Sequence, residues 1–544
     1  MNSKFCTFDP VTKIWSGRKR QQIYNTEANA GYLFLQKLIQ TPKNVFQISD
    51  DTGVELTCAN VYERSVKFAN FLTQMKLKQG DVVGLIASNS ENLVPIIFGC
   101  FVIGVAVNPL SIVMGVEDIE HMWSKTKPKV ILSDGKIVGT VKSAVDEMKL
   151  DATIFTLIDK IEGFQYVDEI LELDFDVESY EFSDLPDICS TTAIISCSSG
   201  TTSSPKGICK SHKQLIANSF LLWNQNLHDC DVIFNASPSY WATHLLFSIY
   251  GALYNIPTII TSQTITPELW MDIVDRYKVT AVMVAPRICA SILKSDKLRK
   301  LESIRIAIVG GSVFTSKLIQ DFAKIMPNGK LLTGYGATEI DSVSMASKCE
   351  DSLLCCSGYP YNNTEIKVVD DNGASLGPNE IGEIYCRKSV PFSGYFEDPQ
   401  STSESFDNSG FIKTGDAGYF DDSGRIYIIE RIKHMIKSIG AHKVTPIEIE
   451  SIINEIDGVI QSCVVGVFDE EVFYDKIHAF VIKDQARDDL TEEFIVNFVN
   501  RRVIEQKNIT GGVHFVDKFP MIPSGKVLNR ELKKMAVAMH QKKQ

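Results

Sequence analysis

From Thr191 to Gly207 the chain reads Thr-Thr-Ala-Ile-Ile-Ser-Cys-Ser-Ser-Gly-Thr-Thr-Ser-Ser-Pro-Lys-Gly. Its apolar opening, Ala193, Ile194 and Ile195, predicts a short buried strand. Ser198, Ser199, Gly200, Thr201, Thr202, Ser203 and Ser204 follow, and Pro205, Lys206 and Gly207 close the stretch. Small residues let the backbone approach a ligand closely. Hydroxyls and main-chain N–H groups form a concave set of donors, and Lys206 adds a cation. That is the chemistry of a polyphosphate cradle. A solvated Ser/Thr linker has the same composition. The lysine also sits between a proline and a glycine, unlike the common phosphate loop that ends Gly-Lys-Ser/Thr.

Other chemistry-bearing stretches follow in order. Ile306–Ser312 is a strand-like run ending in Gly310, Gly311 and Ser312, where a flat ring could lie against bare backbone; such a pair is more often a turn. Thr333-Gly-Tyr-Gly-Ala-Thr-Glu339 sets Tyr335 between Gly334 and Gly336, then Ala337, Thr338 and Glu339. A tyrosine between glycines offers an open face for stacking, a threonine a hydroxyl for phosphate, and a glutamate a hard oxygen for Mg²⁺. Gly382-Glu-Ile384 and Gly394-Tyr395 precede Lys413-Thr-Gly-Asp416, whose carboxylate could accept both hydroxyls of a ribose. Glu430-Arg-Ile-Lys-His-Met-Ile-Lys437-Ser-Ile-Gly440 would by composition be a solvated face. Phe519-Pro-Met-Ile-Pro-Ser-Gly-Lys526-Val-Leu-Asn-Arg530 places a lysine on a glycine-supported turn.

Taken together and in this order, these stretches resemble the motifs of the adenylate-forming (AMP-binding) superfamily: acyl-CoA synthetases, 4-coumarate-CoA ligases and insect luciferases. The family's phosphate loop runs Ser-Gly-Ser/Thr-Thr-Gly-x-Pro-Lys-Gly, and this chain departs from it at Ser203. Glu430 likewise replaces the family's aspartate at the hinge. The resemblance covers nearly the whole chain. It implies an α/β fold: a large N-terminal domain, residues 1–430, of parallel sheets flanked by helices, and a small mobile α+β C-terminal domain, residues 431–544, with the hinge near Glu430–Lys433.

The resemblance also implies roles. Ser198, Ser199, Gly200, Thr201, Thr202, Lys206, Gly310, Gly311, Ser312, Gly334, Tyr335, Gly336, Ala337, Asp416 and Arg431 would bind ATP or AMP. Glu339 would hold Mg²⁺. Lys526, Thr338, Glu339 and Lys437 would act in catalysis, and Lys437 and Gly440 would serve coenzyme A. Tyr240, Trp241, Phe247 and Ile340 would wall the acyl pocket. Family members often carry a histidine beside an aromatic here; this chain has Ser237-Pro-Ser-Tyr-Trp-Ala-Thr-His244, where His244 reads as a core or surface residue. Asp341 and Ser342 interrupt any continuous apolar tunnel. The implied activity is an ATP-dependent ligase that joins a fatty or aryl acid to coenzyme A through an acyl-adenylate. A luciferase-like adenylating oxygenase and a catalytically impaired acyl-binding relative are the alternatives.

The elements that must position these residues are legible from pattern. Val82–Ala87, Val130–Ser133, Ile154–Ile158, Val232–Ala236, Val279–Ala285 and Ile304–Val309 predict strands, and Val61–Met75 a helix, an α/β alternation with ligands at strand carboxyl ends. Cys463–Val467, Ile477–Ile482 and a helical Thr491–Val503 predict the small domain. The 544 residues exceed one core. A net charge of −12 argues against nucleic acid as the main partner. Thirteen cysteines without a Cys-x-x-Cys pair suggest free thiols. Leu93–Val107 is too short and too interrupted to span a bilayer and predicts a buried helix. With neither signal peptide nor Ser-Lys-Leu ending, the expectation is cytoplasmic, with peroxisome as the alternative. Oligomeric state is left open.

Overall fold

A computed structural model describes residues 5–182, 185–197, 205–218, 231–312, 314–346, 356–521 and 527–541. Ser198–Thr202, Ser203 and Lys526 lie outside the described residues. Among the described residues the strands form three large sheets of seven, nine and six strands, then a two-stranded and a three-stranded sheet. The chain is mixed α/β, with a large N-terminal and a small C-terminal domain.

The seven-stranded sheet is parallel through Ala106–Pro109, Val82–Ile86, Val130–Ser133 and Thr153–Thr156, and Thr192–Cys197 joins it in parallel beside Val107. Gly207–Ser211 adds an antiparallel edge. The nine-stranded sheet runs parallel through Val45–Ser49, Thr258–Ile260, Ile233–Phe234, Ala281–Val284, Ile306–Val309 and Lys330–Ala337. Its inner strands Thr258–Ile260, Ala281–Val284 and Ile306–Val309 are mostly apolar runs without alternation, as sheets covered on both faces require.

Helices fill the space between these sheets. Cys58–Gln74 begins at a capping box, Thr57 accepting from the Asn60 amide at 3.2 Å. Leu93–Val102 is buried along its whole length, five residues shorter than the apolar run, because Gly104 takes a φ of +69° and turns the chain into the strand Ala106–Pro109. A Cβ on Gly99 would lie 2.6 Å from the Ser65 carbonyl, so glycine lets the two helices meet.

The six-stranded sheet is antiparallel throughout, which the strand–helix alternation does not suggest. Its order brings the N-terminal hairpin Cys6–Asp9 and Ile14–Gly17 beside Thr364–Val369. Trp15 stacks on Phe420 at 4.7 Å and anchors that edge. The last strand, Ile426–Arg431, runs through Arg431 before the chain leaves the sheet.

Beyond it, Val459–Asp469, Tyr474–Lys483 and Gly512–Phe515 form the three-stranded sheet. Ile449, Ile453 and Ile495 pack on one face and Phe519, Leu532 and Ala536 on the other. No helix among the described residues is long and apolar enough to cross a membrane. The described cysteines are free thiols.

Candidate nucleotide and acyl site

The parallel strands Ile306–Val309 and Lys330–Ala337 are neighbours in register, Val309 opposite Thr333. Their carboxyl ends therefore place Gly310 against Gly334, and a Cβ on Gly310 would meet the Gly334 carbonyl at 3.0 Å. Gly311 has a φ of +97°, with open space where a side chain would stand. Ser312 is exposed beside it. The second strand turns at Thr338–Ile340 and returns as Asp341–Ala346, so Gly334–Glu339 forms the tip of a hairpin.

Tyr335 points from that hairpin to the six-stranded sheet. Its hydroxyl donates to Asp416 Oδ2 at 2.6 Å. Asp416 is 5% exposed. It stands directly opposite Arg431 in the ladder between Ile412–Phe420 and Ile426–Arg431, and Arg431 Nε meets Asp416 Oδ1 at 2.7 Å. The Asp416 and Arg431 motifs, on consecutive strands of one hairpin, are thus cross-strand partners. Gly415 holds the turn at a φ of +70°, while its N–H donates to Glu383 Oε1 at 3.0 Å. Glu383, from the Gly382-Glu-Ile384 stretch, therefore supports the Asp416 turn; the sequence pattern marked it without showing this contact. Desolvation, then the Asp416 carboxylate, pushes the Tyr335 phenol far up, so it remains a donor.

A second group adjoins the first. Tyr395 donates to Glu339 Oε1 at 3.2 Å. Lys206 lies 4.9 Å from the Tyr395 ring centre and donates to Ser401 Oγ at 2.7 Å. The Phe396 amide donates to the Gly207 carbonyl at 2.7 Å and the Cys209 amide to the Gly394 carbonyl at 3.0 Å, pinning the strand that follows Lys206. Lys206, Tyr395 and Glu339 thus form one bonded group and Tyr335, Asp416 and Arg431 a second; Tyr335 and Glu339 share the hairpin, and the Arg431 charge acts on Tyr395. Lys437 joins neither: it is exposed on the strand Ile436–Ser438, where its amide donates to Asp475 at 2.8 Å. Gly440, with a φ of +67°, lies just beyond.

The helix Ala242–Tyr254 sorts the expected acyl-pocket residues. Ala242, Leu245, Leu246 and Ile249 recur at helical spacing and line a cavity with Tyr240, Trp241 and Ile97. Phe247 points the other way and packs with Tyr250, Ile306 and Leu332 beneath the nine-stranded sheet, so it is not among the cavity's lining residues. Ile340 lines an adjoining cavity with Glu339 and Phe392. His244 is 1% exposed, and Nδ1 lies 3.0 Å from the Ser237 carbonyl. It is a core histidine, held down to about 4 by burial.

Comparison with known proteins fits this geometry. Residues 35–396 match the family model of the AMP-binding enzyme, and residues 448–526 match the AMP-binding enzyme C-terminal domain. The 4-coumarate–CoA ligase 1 of Oryza sativa subsp. japonica is 30% identical over 539 residues, covering 95% of this chain and 94% of that protein. The probable 4-coumarate–CoA ligase 3 of Dictyostelium discoideum is 27% identical over 524 residues, covering 92% and 94%. Among solved structures, ATP-bound MatB from Rhodopseudomonas palustris superposes with a TM-score of 0.83 at 24% identity, covering 93% of this chain and 99% of that one, a likeness of fold. The luciferase-like enzyme from the nonluminescent Zophobas morio mealworm has a TM-score of 0.70 at 26% identity, covering 77% and 99%.

Proposed function

The chain belongs to the AMP-binding, adenylate-forming enzyme family, and we propose that it is an ATP-dependent carboxylic acid–CoA ligase. A carboxylate attacks the α-phosphorus of ATP, giving an acyl-adenylate and pyrophosphate. The thiol of coenzyme A then displaces AMP at the acyl carbon. The observation that carries this reading is the Tyr335–Asp416–Arg431 set beside Gly310 and Gly311: aromatic face, bare backbone edge, buried carboxylate and guanidinium together. Asp416 would take the ribose hydroxyls and Arg431 the ribose or phosphate side.

Lys206 and the hydroxyls of Ser199, Thr201 and Thr202 would hold the phosphates. Glu339 suits Mg²⁺: among the described residues its Oε2 takes no hydrogen bond, and Mg²⁺ commonly binds one or two carboxylates plus phosphate and water. When bound, the ion would neutralise phosphate charge. Lys526 would steady charge building between carboxylate and α-phosphate. With the hinge at Glu430–Lys433, the small domain would then turn and bring Lys437 and Gly440 to the thiol step.

The relatives named for 4-coumarate–CoA ligation support an acid–thiol ligase; a fatty or aryl acid is the proposed substrate. The test is pyrophosphate release across a panel of carboxylic acids, with and without coenzyme A. Acid-dependent release, with a thioester only when coenzyme A is present, is expected. No release with any acid overturns the reading, and oxygen uptake on adenylation would favour an oxygenase.

A further inference from the structure

Charges stand in the wall of the cavity beside Tyr240 and Trp241, where a hydrocarbon tail has no use for them. Lys210, its side chain 5% exposed, is ion-paired with Asp341, 15% exposed. Asn218 Nδ2 donates to the other Asp341 oxygen at 2.5 Å, and Asn218 Oδ1 accepts from Lys388 Nζ at 3.4 Å. Lys210, Asn218 and Asp341 line the Tyr240–Trp241 cavity; Asp341 and Lys388 line the adjoining one. Asp341, at a φ of +54° in the hairpin turn, is the shared wall.

The hydrogen-bonding capacity of this cluster is lopsided. Each Asp341 oxygen already has a donor, whereas each lysine carries three N–H bonds. Among the described residues, two amines meet one carboxylate. Glu339, the other acid in the lining, is bonded to Tyr395 and, among the described residues, to neither amine. Desolvation pushes Lys388 down and Lys210 adds to that, while Asp341 opposes it. A buried ammonium is well tolerated only beside an anion. A hydrocarbon tail leaves the second amine uncompensated; a tail that ends in a carboxylate supplies what is missing and accepts the remaining N–H bonds.

Resting on the acid-activation reading above, we propose that Lys210, Lys388, Asn218 and Asp341 form a specificity-determining subsite selecting acids with a second carboxylate remote from the reacting one, a dicarboxylate class of substrate. Asp341 holds Lys210 in place when the subsite is empty, and Asn218 relays between Asp341 and Lys388.

The experiment measures kcat/KM for pyrophosphate release by the full chain with straight-chain monocarboxylates, ω-hydroxy acids and dicarboxylates of equal carbon number. The dicarboxylate is expected to exceed its monocarboxylate partner by about tenfold or more, the factor one charge-assisted hydrogen bond carries. Lys388→Met, which leaves the Lys210–Asp341 pair in place, should lower that ratio by a similar factor. Asp341→Asn, which removes the competing carboxylate and keeps the side chain's shape, should raise it. A purely structural ion pair would move all acids together. A wild-type preference for monocarboxylates or ω-hydroxy acids overturns the subsite, as does a ratio unmoved by both variants. Absence of pyrophosphate with every acid would instead overturn the acid-activation reading itself.

Discussion

Asp416 has one oxygen on the Tyr335 hydroxyl and the other on the Arg431 guanidinium. A ribose pair would have to replace or share these partners. In its proposed role of ribose acceptor the carboxylate would be preorganised, since Arg431 fixes it from the neighbouring strand. Asp416→Ala should raise the ATP concentration needed for half-maximal pyrophosphate release by about ten- to a hundredfold, the worth of hydrogen bonds to a charged group. Tyr335→Phe keeps the ring and loses only the hydroxyl, so its effect should stay within about fivefold. ATP titrations of both variants read this directly. Equal losses would mean that the tyrosine acts through its hydroxyl and not through its face.

At the scale of elements, Gly336 decides whether the Tyr335 hairpin closes: a Cβ there would lie 2.2 Å from the Asp341 carbonyl. Gly336→Ala must spread the strands Lys330–Ala337 and Asp341–Ala346, and adenylation should fall by about tenfold or more, as an active-site displacement near 1 Å costs. Adenylation at the wild-type rate would mean that the hairpin tolerates opening. The small domain offers a second element. Glu450, on the helix Pro446–Ile453, accepts from the Val464 amide at 2.8 Å. Desolvation, then the Glu430 carboxylate, raises it from 4.5 to about 8. The folded chain keeps a proton that the unfolded chain releases, so this group makes stability fall as pH rises from about 4.5 to about 8. Glu450→Gln keeps the acceptor and should flatten that slope in denaturant melts across the window. An unchanged slope would remove Glu450 from the account. Elements of this kind were unevenly legible in sequence. Val130–Ser133 and Ile306–Val309 announce themselves because continuous apolar runs have few other fates. The antiparallel six-stranded sheet does not, since Ile14–Gly17 and Thr364–Val369 are short, mixed in polarity and far apart in the chain. The same separation hid Lys210 beside Asp341, although a lysine following Ile208 and Cys209 in an otherwise buried strand was a visible signal. Phe247 lies away from the Tyr240–Trp241 cavity for a local reason: its apolar type does not say which face of its helix meets that cavity.

At the scale of the whole molecule, the proposed pair of half-reactions in one site would require the small domain to occupy two positions. Lys526→Ala should impair pyrophosphate formation by about two to three decades, the usual loss with a transition-state donor. Lys437→Ala should mainly slow thioester formation from preformed acyl-adenylate; equal damage to both steps by either variant would sink the two-position scheme. The position seen in this structure is held by nameable ties. Lys294, on the helix Pro286–Leu293 and its C-cap, donates to the carbonyls of Val459, at 3.5 Å, and Ile460 at the start of the small domain's sheet. Lys443 bonds Asp371 at 2.9 Å. The second tie is solvent-exposed on both sides and should contribute under about 1 kcal/mol. The first joins Lys294, whose pKa desolvation lowers, to two backbone carbonyls that would lose their donor with it. Lys294→Met keeps the length of the stem and removes the charge, so it should shift the balance between the two positions by about tenfold. The two half-reactions should then change in opposite directions, one gaining what the other loses, because a shift in population favours one arrangement only by draining the other. Pyrophosphate release and thioester formation from preformed adenylate, measured separately on the variant, decide the matter. If both fall together, Lys294 holds the fold and not the balance, and the ties between the domains have no part in alternation.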